Sequence, residues 1–296
     1  MSWAESRERL KQATVAFSSR TDTQADAQMQ FSLKNSMTEP QHTDPVAEEK
    51  EGARFVNNTG EEASPKGVNT QLFRVVVGSQ AHGLATPESD FDYRGVFIIP
   101  TSEFLSLGTN PKQTSWVEGE IDDTSWELGH FLHLATKCNP TILEVFLSPT
   151  SEITAGCEED VAELRALFPY VWNSQYVMDA FIGYSHNQRK KLLEGKDARP
   201  HKYAAAYLRV LYQAWELLET GTFTIRIADT PLGDYIRAVK NKDTSGGYDL
   251  SVGAVINKCA ELESMVRTAY TQNPDKQTDT AKINEFLLKM REKYWN

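Results

Sequence analysis

Two short apolar runs, Leu72 to Val77 and Tyr93 to Ile99, constrain this chain more than any other feature. The first is β-branched and stopped by Gly78-Ser79, and the second is closed by Pro100, so both read as buried, neighbouring strands. The segment between them, SQAHGLATPESD, has room for one helical turn and a loop. A glycine-serine turn after one strand is thereby tied to Asp90-Phe91-Asp92 at the start of the next.

After a loop through Trp116, Asp123 to Trp126 reads as a third short strand, leading into Leu128, Phe131, Leu132 and Ala135 at helical spacing. From residue 158 the periodicity is helical, with helices expected over 158–168, 173–194, 202–220, 231–241, 250–272 and 280–294. Gly195 and Gly221 stand where C-terminal stops belong, and Thr230-Pro231 fits a cap followed by a first-turn proline. The expected fold class is α+β, with a small mixed β-sheet core and flanking helices over 71–157 and a helical C-terminal domain over 158–296. Residues 1–70 are rich in Gln, Thr, Ser, Asn, Asp and Glu and offer only a short helix around Trp3 to Phe17. They bury too little apolar area to offset their ordering entropy, so a largely disordered arm is expected.

No run among the 296 residues approaches the roughly 18 apolar residues of a membrane span, and MSWAESRERLKQ lacks the apolar stretch of a signal peptide. A soluble cytoplasmic protein without a membrane partner is expected. Cys138, Cys157 and Cys259 are widely spaced and outside any CxxC pair, which predicts buried, reduced thiols. The net charge of −10 is uneven: residues 1–169 carry 13 Lys+Arg against 26 Asp+Glu, and residues 170–296 carry 18 against 15. An acidic half can gather metal ions, and a mildly basic half can face phosphates.

Residues two apart on a strand share a face, so Asp90 and Asp92 on one strand present two carboxylates side by side. Such a pair repels unless a cation sits between, and hard oxygen ligands suit Mg²⁺, which leaves its remaining positions to water and phosphate oxygens. Gly78-Ser79 supplies the complement: backbone N–H groups leading into a helix N-terminus, no bulky side chain, and a hydroxyl. Together they point to a nucleoside triphosphate rather than a carbohydrate or peptide.

The run GSQAHGLATPESDFDYRGVF resembles the signature of the DNA polymerase β-type nucleotidyltransferase superfamily. In particular it is similar to the predicted nucleotidyltransferases of bacteria and phages that share G-S-x-A-x-G-L-A-T-P-x-S-D-x-D-x-R-G-V-F. The likeness continues through Asn139-Pro140-Thr141-Ile142-Leu143-Glu144 and more loosely through Lys202 to Gly221. It implies transfer of a nucleotidyl group from a triphosphate such as ATP, with two Mg²⁺ (or Mn²⁺) ions held by Asp90, Asp92 and a third carboxylate. Asp123, which opens the third strand, is the expected third ligand, with Asp122 and Glu127 as competitors. Gly78 and Ser79 would hold the leaving pyrophosphate.

Other positions divide between site and scaffold. Arg94 suits a phosphate or a structural ion pair equally. Lys202 and Arg209, seven apart, share a helix face and can meet nucleotide phosphates. The resemblance supports that basic pair, although the His often found three positions before the arginine is Ala206 here. Glu127, His130 and His133 read as a half-exposed helix face rather than metal ligands, and His130 stands where related sequences carry a basic residue. Glu144 reads as a buried structural carboxylate ahead of a site residue, and Trp172, Tyr176, Phe181, Tyr207 and Trp215 as core. The acceptor is expected to be an RNA 3′ end, ahead of a protein or small-molecule hydroxyl. The alternative is a nucleotide-binding or regulatory protein on the same scaffold, without turnover. The oligomeric state is left open.

Overall fold

The computed structural model describes residues 69–108, 112–117, 123–195 and 198–296. The arm expected over 1–70 lies outside them up to residue 68, as do the short helix around Trp3 to Phe17 and the competitor Asp122. Five strands form one sheet: β1 Thr70–Val77, β2 Asp92–Ile98, β3 Thr114–Val117, β4 Asp123–Glu127 and β5 Thr150–Ile153. Their spatial order is β3-β4-β2-β1-β5. β1 runs antiparallel to β2 and β5, β2 runs parallel to β4, and β3 closes the other edge antiparallel to β4. The two edge strands, TSWV and TSEI, were not anticipated; they are short and polar, and pairing to the open edges of β4 and β1 forms them.

Helices α1 (Gly78–Ala81), α2 (Thr101–Phe104), α3 (Leu128–Thr136) and α4 (Pro140–Leu147) flank the sheet. The side chain of Asn139 caps α4 by accepting from the N–H groups of Thr141 and Ile142, with Pro140 in the first turn. Phe131 of α3 stacks on Phe146 of α4 with ring centroids 4.8 Å apart, and both rings are fully buried. Each such ring contributes about 2–3 kcal/mol of burial.

The helical part continues as α5 (Glu158–Ala166), α6 (Phe168–Val171), α7 (Ser174–Leu193), α8 (Pro200–Thr220), α9 (Gly233–Asn241), α10 (Val252–Gln272) and α11 (Thr280–Lys293). The expected helix over 158–168 is two, because Pro169 starts a new one. α8 is the hub, buried along most of its length against α7, α9 and α10, and Gly221 ends it at φ +74°. The described residues of sheet and helices, from 69 to 296, make one compact unit. α11 closes it: Arg291 Nη2 lies 2.6 Å from Glu127 Oε1, Lys293 Nζ 2.8 Å from both oxygens of buried Asp160, and the Thr101 N–H donates to the Tyr294 carbonyl.

Cys138, Cys157 and Cys259 are buried free thiols. Trp172, Phe181, Tyr207 and Trp215 are core, whereas Tyr176 is 40% exposed beneath the Lys137 ammonium. No helix among the described residues is long and apolar enough to cross a membrane.

Candidate active site

The turn after β1 is built on glycine. Gly78 adopts φ +67°, and Asp92, the register partner of Val77, sets its Oδ2 where a Cβ on Gly78 would lie only 2.6 Å away. The backbone then folds over itself, with the His82 N–H donating to the Gly78 carbonyl and the Leu84 N–H to that of Ser79. The Gln80 amide reaches the Ser89 carbonyl at 3.2 Å and ties this turn to the loop carrying Asp90. β2 begins at Asp92, so Asp90 precedes the strand instead of sharing its pleat; it is exposed, and both carboxylates line one cleft with Gly78 and Ser79.

That cleft measures about 530 Å³. Its far wall is basic: Lys191 from α7, Arg199, Lys202 and Arg209 at and within α8, and Lys240 from α9. Lys240 Nζ also donates to the Leu84 carbonyl at 2.6 Å, which anchors the loop after α1. Burial and the neighbouring Lys202 push the Lys240 ammonium below its usual range. Burial also lowers His201, helped by Lys242, Arg199 and Lys240, so this cleft imidazole is neutral at pH 7. Among the described residues no ion pair engages Lys191, Arg199, Lys202 or Lys240. A wall of such cations opposite paired acids suits a polyanion that also brings a divalent cation.

Three expected residues stand elsewhere. Asp123 pairs in parallel register with Tyr93, and side chains alternate along β2, so Asp123 faces away from Asp92. There its Oδ2 meets Arg74 Nη2 at 2.5 Å, with the Arg74 guanidinium 4.5 Å from the Tyr93 ring centroid. Glu127 accepts from the Gly129 and His130 N–H groups as the cap of α3 and pairs with Arg291, so it is committed to the scaffold. Arg94 donates to the Tyr93 carbonyl at 2.6 Å and does not line the cleft. Among the described residues no three His, Cys, Asp or Glu side chains form a group that could hold a metal ion, the Glu127, His130 and His133 face included. Asp90 and Asp92 are the acids lining the cleft that could share an ion.

Beneath the turn lies a buried cluster that joins Arg209, expected at the phosphates, to Glu144, expected to be structural, and to His82. His82 Nε2 donates to Glu144 Oε1, Arg209 Nη1 lies 3.4 Å from Glu144 Oε2, and the Gly78 N–H donates to the same carboxylate. Burial lowers the His82 pKa, seconded by Arg209 and opposed by Glu144. Burial resists ionisation of Glu144, but His82, Arg209 and the Gly78 N–H outweigh it and hold the carboxyl down to about 2. The folded pKa therefore lies below the unfolded value of about 4.3, and the stabilisation is complete above that pH and lost as pH falls toward 2. The melting midpoint of the unmodified protein should drop more steeply than that of Glu144→Gln between pH 4 and 2, measured by circular dichroism. The signal for this cluster is the one charge within PTILEVFL, since an acid on a buried apolar helix requires partners.

Compared with known proteins, residues 57–289 match the family described as RlaP, the RNA repair pathway DNA polymerase beta family. The chain belongs to this family. RlaP membership agrees with the nucleotidyltransferase resemblance carried by Gly78 to Phe97. Similar proteins include YcgL of Bacillus subtilis, 23% identical over 76% of this chain and 90% of its own length. MJ0002 of Methanocaldococcus jannaschii is 28% identical over 51% of this chain and 62% of its own. A 38.9 kDa protein from the nrdC-mobD intergenic region of Enterobacteria phage T4 is 28% identical over 38% of this chain and 36% of its own.

Proposed function

We propose that the cleft binds a nucleoside triphosphate, with ATP the first to test, and transfers its nucleotidyl group to an acceptor hydroxyl at an RNA 3′ end. The observation that carries this reading is the pairing, across one cleft, of Asp90 and Asp92 beside the Gly78 turn with Lys191, Arg199, Lys202, Arg209 and Lys240. Asp90 and Asp92 would hold Mg²⁺ (or Mn²⁺), which when bound supplies Lewis-acid charge at the phosphate oxygens. Gly78 and Ser79 receive the triphosphate against the turn, and Lys202 and Arg209 take its outer oxygens. The acceptor oxygen bonds to the α-phosphorus, the bond between the α-phosphorus and the oxygen bridging it to the β-phosphorus breaks, and pyrophosphate leaves carrying that oxygen and its electron pair. The hydroxyl proton passes to Asp90, the exposed acid of the pair.

The basic wall holds more cations than one triphosphate requires, which favours an acceptor that brings phosphates of its own. The test is incubation with α-labelled ATP, bulk RNA and Mg²⁺ or Mn²⁺. Label in RNA is the expected result. Label in protein alone would replace the acceptor, and binding of ATP with no label transferred would make the protein a nucleotide-binding module.

A further inference from the structure

Glu144 is the lone charged residue of α4, and it is only 6% exposed. Burying a carboxylate costs several kcal/mol unless partners compensate, and replacing such a buried charged cluster as a whole by apolar side chains of similar volume is often neutral or stabilising. Its partners are not scattered through the core. One is the Gly78 N–H, in the turn that cradles Asp92, and another is Arg209, on the opposite wall of the same cleft. The third, His82, lies in the segment that leads out of the turn and donates to the other carboxylate oxygen. The same Nη1 of Arg209 also donates to Gln213 Oε1 at 3.0 Å, and the fully buried Gln213 donates in turn to the Thr224 carbonyl. The described bonds of Arg209 all use Nη1.

We propose that Glu144 is a positioning residue for the triphosphate: it fixes the Gly78 turn and the Arg209 guanidinium at one mutual spacing, so that phosphates held by the turn meet Arg209 without reorganisation. This inference rests on the reading of the cleft as a triphosphate site. It adds that both walls are set by a single carboxylate which itself touches no substrate. Because the arrangement acts on bound phosphates before and during transfer alike, its loss raises KM more than it lowers kcat.

The experiment compares the unmodified full chain with Glu144→Gln, Arg209→Gln and the double variant. Affinity for ATP with Mg²⁺ and for inorganic tripolyphosphate is measured by calorimetry, beside KM and kcat for transfer and the melting midpoint. Glu144→Gln keeps the shape and an acceptor oxygen but loses the charge. It should weaken both ligands and raise KM by about tenfold, leave kcat within about threefold, and shift melting by only a few degrees at pH 7. In the Arg209→Gln background the same change should add little, since the two residues act as one unit. Unchanged affinity in Glu144→Gln, or losses that simply multiply in the double variant, would overturn the inference. So would a Glu144→Gln chain that no longer folds, because the role would then be structural alone. If the unmodified protein binds neither ATP nor tripolyphosphate, the triphosphate reading itself falls and this inference goes with it.

Discussion

Asp92→Asn should remove nucleotide transfer almost completely, by about 10³-fold in kcat, while the chain melts within a few degrees of the unmodified protein. The substitution preserves volume and shape at the first residue of β2, opposite Val77, so it opens no cavity in the sheet. It removes the charge at the point where the carboxylate abuts Gly78, which on the proposed reading is where phosphate and cation would meet. Asp90 is left, but a single exposed acid would draw a cation into the turn more weakly than the proposed pair. Label transfer from ATP and a parallel melting curve check the expectation. Full activity in Asp92→Asn would separate the carboxylates from the chemistry.

Gly78→Ala should act on both stability and transfer. At φ +67° an L side chain costs about 1–3 kcal/mol, and the new methyl would lie 2.6 Å from Asp92 Oδ2, so the carboxylate has to move. A displacement of about 1 Å at a reacting group lowers rate by about 100-fold, which sets the expected loss of transfer. Gly247→Ala is the control: its φ of +73° carries comparable strain, but nothing lies within 4 Å of the added Cβ. Denaturant midpoints should fall in both variants, and transfer in Gly78→Ala alone. Equal activity in the two would show that the turn tolerates a side chain and does not cradle a ligand.

Much of the architecture was written locally. The β-branched run before Gly78, Pro100 after the second strand, Asn139-Pro140 before α4 and Gly221 after α8 each act within a few residues, and each element they bound is present. The apolar periodicity from residue 158 likewise gave helices close to their expected limits. Elements whose existence depends on a partner were missed. β3 and β5 carry few apolar residues, and they are strands because β4 and β1 offer them unpaired edges.

The site divides along the same line. That Gly78 and Ser79 should meet Asp90 and Asp92 follows from fifteen residues of chain, too short a tether to separate them. The placement of Asp123 followed from a register between β2 and β4, nonadjacent in sequence, and a shift of one residue there would have turned the carboxylate to the other face. Nor could composition reveal that Lys191, Arg199 and Lys240 share a wall, or that the acid of PTILEVFL reaches under the Gly78 turn. Short-range sterics and hydrogen bonding therefore determined the turn, the strands beside it and the acids at its mouth. Long-range packing, which fixes strand register and the approach of α4, α7, α8 and α9, decided which charges face those acids and which are sealed in the scaffold.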